Sequence, residues 1–198
     1  MIILVRHGQT EVNAQGRLQG HLDAPLTELG RLQAAAVAAA VTAVRAPAIV
    51  VSSPLIRAQA TAAAFETEVV IDERWIEVDY GEWDGRLLKS IPAETWDHWR
   101  SDTSFAPPEG ESLLVLQKRV VAACASWAEV ATEQDVVIVS HVSPIKAAVA
   151  WALGVSPEVS WRTFLGVAAI CRIAVGPKGP SLHSFNERTH VSALPSTP

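Results

Sequence analysis

Three short runs rich in branched apolar residues, separated by longer helical patterns, constrain the fold of this chain most strongly. The runs occupy residues 2–5, 48–52 and 135–140. Continuous apolar runs of this length are typical of strands that are buried on both faces of a sheet. Because helical patterns lie between them, we expect an α/β protein, a three-layer α/β/α sandwich with a mainly parallel central sheet.

Two helices are predicted from the spacing of apolar residues. One runs from Thr27, a suitable N-cap, to Val44, and the other from Ser112 to Ala131. In both segments the apolar residues recur every three or four positions, as one face of a helix requires. The predicted apolar stripes are Leu29, Leu32, Ala36, Ala40 and Val44 in the first helix, and Leu113, Leu116, Val120, Ala123, Trp127 and Val130 in the second.

Two further helix starts follow the second and third apolar runs. Ser53-Pro54 and Ser143-Pro144 each have the residue pair that favours an N-cap followed by proline at the first helical position. Ligands of parallel α/β sheets gather just beyond the carboxyl ends of the strands, where such turns lie. We therefore expect a binding site at this edge of the sheet.

Residues that bind anions fall at these strand ends. Arg6 and His7 end the first run, Arg57 lies four residues after Ser53, and His141 ends the third run. An adjacent cation and imidazole at the end of a buried strand are costly unless an anion compensates them. Two arginines and two histidines beside helix N-termini predict a phosphoryl-binding clamp.

Composition and charge restrict the classes of protein and partner that fit this chain. The chain has 198 residues, a net charge of −5 and a pI near 5.7, which argues against a nucleic-acid partner. We expect one domain over residues 1–190 and a flexible tail over 191–198. No apolar run is long enough for a signal-peptide core or a membrane span, so a cytoplasmic protein without a membrane partner is expected.

The segment 75–108 differs from the rest of the chain. It contains four of the seven tryptophans, several glycines and prolines, and no clear period. We interpret it as an irregular lid or insert over the strand ends. We also expect edge strands near Leu182 to Phe185 and exposed tryptophans. Both features make a homodimer possible. A possible pocket rim consists of His21, Trp83, Trp96 and Trp99.

Six ordered motifs make the chain resemble the histidine phosphatase superfamily, also called phosphoglycerate-mutase-like, and its phosphatase branch in particular. Where that family usually has glycine after its second histidine, this chain has Val142, as in α-ribazole phosphatase-type domains. The motifs are Arg6-His7-Gly8 with Thr10 and Asn13; Gln19-Gly20; Asp23 to Thr27 with Gly30; Ser53 to Arg57; Ile76-Glu77 with Gly81, Trp83 and Gly85; and Pro108 to Ser112.

The resemblance implies a phosphomonoesterase that acts on a small phosphorylated metabolite without metal or other cofactor. His7 would be the nucleophile and form a phosphohistidine, and Glu77 would protonate the leaving alcohol. An attacking imidazole must be neutral, and we expect neighbouring arginines to lower its pKa. Arg6, Arg57 and His141 would bind the phosphoryl oxygens, and the further phosphate- or substrate-binding residues would be Asn13, Gln19, Gly20 and Val142.

Several alternatives stay open at this point. Glu82 and Asp79 compete with Glu77 for the acid role, because all three lie in one loop region. A cofactor-dependent phosphoglycerate mutase is less favoured, since only 30 residues separate Glu77 from Pro108. The other rivals are a phospho-ligand-binding regulator that has lost catalysis and a metal hydrolase with His7, His141 and Glu77 as ligands.

Overall fold

A six-stranded sheet in the order β3-β2-β4-β1-β5-β6 forms the centre of the protein, which the computed structural model describes over residues 1–195. β3, β2, β4 and β1 are parallel, whereas β5 and β6 are antiparallel additions at one side. This confirms the mainly parallel α/β sandwich. The strands are β1 (Ile2–Arg6), β2 (Ile49–Ser52), β3 (Val69–Ile71), β4 (Val136–Ser140), β5 (Ile170–Gly176) and β6 (Gly179–Glu187).

Helices cover both faces of the sheet. The helices α2 and α3 bury Val37, Val41 and Ala58 against one face, while α5 and α6 bury Leu116 and Ile145 on the other. Each face therefore has its own apolar cluster, as a three-layer sandwich requires. The helices are α1 (Glu11–Ala14), α2 (Glu28–Thr42), α3 (Ile56–Ala62), α4 (Ala93–Ser101), α5 (Leu113–Ala131) and α6 (Val142–Leu153).

The three predicted strands are confirmed as β1, β2 and β4, with the fully buried β4 between the other two. Two strands were missed at the sheet margins. β3 is only three residues long and lies at an edge, where Val70 and Ile71 are exposed. β5 begins at Ile170, well before the predicted edge strands, and pairs with β1. Neither strand has the long, purely apolar run that marks a strand buried within a parallel sheet.

The predicted apolar stripe of α2 is wrong, although the helix and its cap are confirmed. The Thr27 side chain accepts the N–H of Gly30 at 3.0 Å. Leu32 and Val44 of the predicted stripe are 46% and 76% exposed. The helix is rich in alanine, so spacing alone did not identify its core face. That face consists of Gly30, Gln33, Ala34, Val37, Ala38 and Val41.

Two predicted N-caps are also wrong. Ser112, where the second helix was predicted to begin, is the N-cap of α5. Leu55 is the N-cap of α3, and His141 is the N-cap of α6. Ser53 instead uses its hydroxyl to hydrogen bond His141, at 2.7 Å. Ser143 lies inside the first turn of α6, one residue after the helix begins. A serine-proline pair marked each turn correctly but not the first helical residue.

The segment 75–108 is more ordered than its sequence indicated. It contains the helix α4 and short 3₁₀ turns at Gly81–Trp83 and Leu88–Ser90. Gly81 has a positive φ of 51°, and a Cβ there would lie 2.0 Å from the Pro108 carbonyl oxygen. Glycine at this position lets the two ends of the segment meet.

The seven tryptophans are all buried or half-buried, so the expected exposed tryptophans are a wrong prediction. The residues 1–195 contain no helix with the length and apolar character needed to span a bilayer. The tail predicted from residue 191 starts at the buried Val191, and residues 196–198 lie outside the described part of the chain. Its flexibility stays a prediction.

Candidate active site

Two histidines meet at the carboxyl ends of neighbouring parallel strands. His7 follows β1 and His141 follows β4, and the two strands pair in register up to Arg6 and Ser140. The backbone N–H of His7 donates to the Ser140 carbonyl at 3.0 Å. The imidazole centroids are consequently only 5.0 Å apart. The sheet itself brings together the two imidazoles that the sequence placed 134 positions apart.

His7 is held as a neutral imidazole in which one nitrogen is unprotonated. Its Nδ1 lies 2.7 Å from the Gly8 carbonyl oxygen and therefore carries the proton. The unprotonated Nε2 accepts a hydrogen bond from the Nε–H of Arg57 at 3.3 Å. Burial, and after it the charges of Arg57 and Arg6, hold the pKa of His7 well below its usual value. The arginines thus lower the pKa of His7 as predicted, but burial lowers it more.

Arg57 lies fully buried beneath His7. Its guanidinium donates to the carbonyls of Gly20 at 2.7 Å and Leu22 at 3.0 Å, and it lies 3.9 Å from a carboxylate oxygen of Asp23. Burial lowers the pKa of Arg57, and nearby carboxylates, with Glu77 first among them, act against that effect. These backbone acceptors fix the guanidinium in place beside the His7 nitrogen.

Arg6 supplies a second guanidinium to the same edge of the sheet. Its Nη1 donates to the Leu165 carbonyl at 2.7 Å. Its Nε is buried and has no hydrogen-bond partner among residues 1–195. Burial lowers the pKa of Arg6 to about 10, so the side chain remains cationic at neutral pH. A buried donor without an acceptor fits a site that receives an anion.

His141 is completely buried and also neutral. One ring nitrogen, Nε2, lies 2.7 Å from the Ser53 hydroxyl oxygen. Its other nitrogen, Nδ1, has no partner within the described residues. Burial, followed by the charge of Arg57, lowers the pKa of His141 well below the ordinary histidine value. Ser53 therefore orients the ring, a role that the sequence analysis did not assign to it.

The carboxylate of Glu77 lies at the N-terminus of α6. Its two oxygens accept the backbone N–H groups of Val142 and Ser143 at 3.1 Å, and that of Val78 at 2.8 Å. Free N–H groups in the first turn of a helix attract negative charge in this way. Its competitors lie elsewhere: Glu82 is exposed, and Asp79 accepts the Gly81 N–H at 2.8 Å.

Two side chains that donate to the Glu77 carbonyl hold this loop in place. Arg119 on α5 donates to that oxygen at 3.1 Å and pairs with the Glu111 carboxylate at 2.7 Å. The ring Nε2 of His21 lies 3.1 Å from the same oxygen. Arg119 was missed because it follows the exposed Lys118 on the polar side of α5, and no motif distinguishes it from a surface residue.

The predicted binding residues around α1 form a network of their own. Asn13 donates its side-chain amide to Gln19 at 3.1 Å and caps α1 together with Thr10. The N–H of Gly20 donates to the Asp84 carboxylate at 2.8 Å. These amides hold the loop whose carbonyls accept from Arg57. No hydrogen bond within residues 1–195 joins Asn13 to either active-site histidine.

An aromatic pocket of about 180 Å³ is lined by Val78 and Val142, the residues that directly follow Glu77 and His141 in the chain. Trp96 and Trp99 of the predicted rim line it, whereas His21 does not. Trp83 packs behind the pocket, 5.8 Å from the Trp99 ring. Lys146 and Trp161 were missed because neither belongs to a motif. The full lining is Leu18, Val78, Tyr80, Leu88, Trp96, Trp99, Leu113, Val142, Ser143, Lys146, Ser160 and Trp161.

Neutral imidazoles, fixed guanidinium groups and a carboxylate at the ends of parallel strands define the protein as a phosphoryl-transfer enzyme of α/β architecture. Residues 2–188 match the family model described as histidine phosphatase superfamily, branch 1. The chain therefore belongs to that superfamily, and the resemblance inferred from its motifs is confirmed. It is a phosphoric monoester hydrolase of the class that works through a phosphohistidine.

Named relatives agree with this class. A glucosyl-3-phosphoglycerate phosphatase of Mycolicibacterium vanbaalenii is 38% identical over 180 residues, which cover 84% of this chain and 79% of that protein. The structure of a variant phosphoserine phosphatase from Entamoeba histolytica with phosphoserine has a TM-score of 0.88 at 29% identity, covering 96% and 98% of the two chains. The structure of an α-ribazole phosphatase from Shigella flexneri has a TM-score of 0.81 at 28% identity, and the match covers 94% of this chain and 96% of that one.

Proposed function

We propose that His7 is the nucleophile of this phosphatase and that Glu77 is its general acid and base. The observation that carries the proposal is the orientation of His7, whose Nδ1 is bound to the Gly8 carbonyl while Nε2 faces Arg57. A neutral imidazole with a defined lone pair is the form that can attack phosphorus. The neighbouring cations stabilise the phosphoryl charge that develops during the transfer.

The first step exchanges one bond to phosphorus for another. The Nε2 of His7 attacks the phosphorus atom, the bond to the ester oxygen breaks, and its electron pair stays with that oxygen. The protonated carboxyl of Glu77 supplies the proton that makes the leaving group a neutral alcohol. Arg6, Arg57 and His141 surround the transferred group and hold its oxygens.

The second step restores the enzyme. The Glu77 carboxylate removes a proton from a water molecule as its oxygen attacks the phosphohistidine. The N–P bond then breaks, its electron pair returns to His7 Nε2, and inorganic phosphate is released. Among residues 1–195 no three His, Cys, Asp or Glu side chains are grouped as a metal-binding set, and neither step is assigned to a metal.

Trapping of the intermediate tests these roles. With a ³²P-labelled monoester and rapid quenching, the wild-type chain should show an acid-labile, alkali-stable phosphoenzyme. His7→Asn should form none and should lose at least about a thousandfold in kcat/KM, as loss of a covalent nucleophile does. His98, exposed on α4, is the matched control, and His98→Asn should retain the label. A labelled His7→Asn protein would refute the assignment.

The substrate is proposed to be a small phosphorylated metabolite. The relatives support this breadth, since their names cite glucosyl-3-phosphoglycerate, phosphoserine and α-ribazole phosphate as substrates. Ranking these monoesters by kcat/KM would identify the preferred class. Measuring 3-phosphoglycerate turnover with and without bisphosphoglycerate would separate hydrolysis from mutase activity.

A cytoplasmic location is part of the same proposal. Its support is that Cys124 and Cys171 are both buried and unpaired, which suits a reducing compartment. Fractionation of the producing cells would test it, and recovery of the protein from an oxidising compartment would contradict it.

A further inference from the structure

The aromatic pocket borders the backbone segments that hold the proposed acid, Glu77. Two of its lining residues, Val78 and Tyr80, follow the proposed acid Glu77 within three positions. Two others, Val142 and Ser143, donate their N–H groups to the Glu77 carboxylate. An acid that protonates the leaving oxygen must stand next to it, so the rest of the alcohol meets this pocket.

The walls of the pocket suit one flat ring. Trp96 and Trp99 are stacked with their centroids 5.8 Å apart and an interplanar angle of 5°. Trp161 stands edge-on to both, at 6.2 and 5.5 Å. The volume of about 180 Å³ is close to that of engineered cavities of about 150 Å³ that bind benzene. A single six-membered ring therefore fills the space.

One cation lies in this otherwise apolar pocket. The Nζ of Lys146 donates to the Ser160 carbonyl at 2.8 Å, and no carboxylate of residues 1–195 lies within ion-pair distance of it. Burial lowers the pKa of Lys146, and the Arg6 charge adds to that effect, while Glu77 opposes it. Glu77 itself is already hydrogen bonded to the first turn of α6. A partly buried ammonium group without a carboxylate partner is stabilised when a ligand supplies an anion.

The indole N–H groups of Trp99 and Trp161 also have no acceptor among the described residues, but both nitrogens are shielded from the open space of the pocket. The two side chains therefore contribute apolar ring surface rather than donors. The pocket thus combines an apolar surface with one cationic donor, Lys146, and a carboxylate complements that pair.

We propose that this pocket selects phosphate monoesters whose alcohol carries a ring and a carboxylate, with the ring against the half-buried Trp96 and Trp161 and the carboxylate at Lys146. The inference rests on the proposed function, since it uses the departure of the alcohol on the Glu77 side. It assigns the substrate class as the phosphorylated hydroxyl of a small cyclic or aromatic hydroxy acid. Serine and glycerate esters would leave the ring surface uncovered.

A matched pair of substrates tests the proposal. Phenyl phosphate and 3-carboxyphenyl phosphate present the same ring, and a carboxylate in the meta position changes the leaving oxygen little. We expect the wild-type kcat/KM for the carboxylated ester to exceed that for phenyl phosphate at least tenfold, because a charge-assisted contact is added. The comparison uses the wild-type protein alone, and the size of this kcat/KM ratio shows whether the carboxylate is bound.

Variants then locate the contact. Lys146→Met keeps the apolar stem and should bring the ratio close to one, whereas Lys146→Arg keeps a cation and should restore most of the preference. Lys118 is exposed on α5 and provides the control, since Lys118→Met removes the same charge elsewhere and should keep the wild-type ratio. Circular dichroism would confirm that the variants are folded.

The outcomes separate the two proposals. If phenyl phosphate is hydrolysed through a phosphoenzyme but the wild-type ratio is near one, the pocket assignment fails and the phosphatase mechanism stands. If Lys146→Met keeps a large ratio, the carboxylate is bound elsewhere and the assignment also fails. If neither ester is hydrolysed and no phosphoenzyme forms with any monoester, the proposed function itself fails.

Discussion

At the scale of single residues, the site is defined by two imidazoles that burial keeps neutral. His7 and His141 are 3% and 0% exposed, and both have pKa values well below the ordinary value because burial disfavours their charged forms. The folded protein therefore presents an unprotonated His7 at neutral pH. The same burial that activates the nucleophile makes the folded state sensitive to acid.

This sensitivity predicts how stability depends on pH. Unfolded histidine binds a proton near pH 6.5, whereas buried His7 binds one only at lower pH, so the unfolded state holds more protons in between. The free energy of unfolding should thus fall as the pH drops below about 6.5. The slope for each such imidazole rises to a limit of about 1.4 kcal/mol per pH unit once the unfolded histidine is fully protonated, and it falls away again at the folded pKa.

Urea unfolding of variants would check the effect. Between pH 6.5 and 5.5, His7→Gln should lose about 1 kcal/mol less stability than the wild-type protein, because the unfolded histidine is only partly protonated at the start of this range. His98→Gln, which changes an exposed histidine, should follow the wild-type curve. A wild-type stability that stays constant over this range would show that His7 is not held neutral.

At the scale of elements, close contact between the His7 turn and α2 positions the nucleophile. A Cβ on Gly30, in the first turn of α2, would lie 2.1 Å from the carbonyl oxygen of Gln9. A Cβ on Gly8 would lie 2.3 Å from the carbonyl oxygen of Gly30. Only glycine allows the two backbones to approach this closely. The turn after β1 therefore depends on the helix that begins more than twenty residues later.

Gly30→Ala tests this contact. Because the methyl group would meet backbone rather than a flexible side chain, the variant should lose roughly 1–3 kcal/mol of stability and much of its activity. Gly176→Ala is the control, since a Cβ there meets nothing within 4 Å. Thermal unfolding and kcat/KM would be measured together. Equal stability of the two variants would show that the turn does not rest on α2.

Local sequence signals succeeded for some elements and failed for others. The long apolar stripe of α5 and the cap at Thr27 depend on neighbours in the chain, and they were predicted. α4 and β5 were missed, because packing of aromatic residues stabilises the first and pairing with β1 the second. The wrong caps near Ser53 and Ser143 have the same origin, since tertiary hydrogen bonds use those residues.

At the scale of the whole molecule, one sheet supports two apolar clusters and the active site together. The residues of segment 75–108 join the larger cluster, in which Trp75 and Trp99 are fully or almost fully buried with Leu4 and Ile138 of the sheet. The single domain proposed for residues 1–190 is supported by this shared core. A segment that packs into the main core should not unfold before it.

Coincident unfolding is the expected result at this scale. Tryptophan fluorescence reports on the aromatic cluster around Trp99, and far-ultraviolet circular dichroism reports on the whole backbone. Both should give the same urea midpoint and a single transition. An earlier fluorescence transition would show that the segment 75–108 is a separate unit and would contradict the single-domain proposal.

Chain-local patterns were enough to establish the fold class, the superfamily and the set of residues expected at the strand ends. They depend on strand periodicity, on caps and on ordered motifs, all of which are written into consecutive residues. Only the tertiary structure determined which nitrogen of His7 is unprotonated, which helix N-terminus binds the Glu77 carboxylate and which side chains line the aromatic pocket. Those features arise from burial and from hydrogen bonds between distant segments, and the spacing of apolar residues along the chain does not predict such contacts.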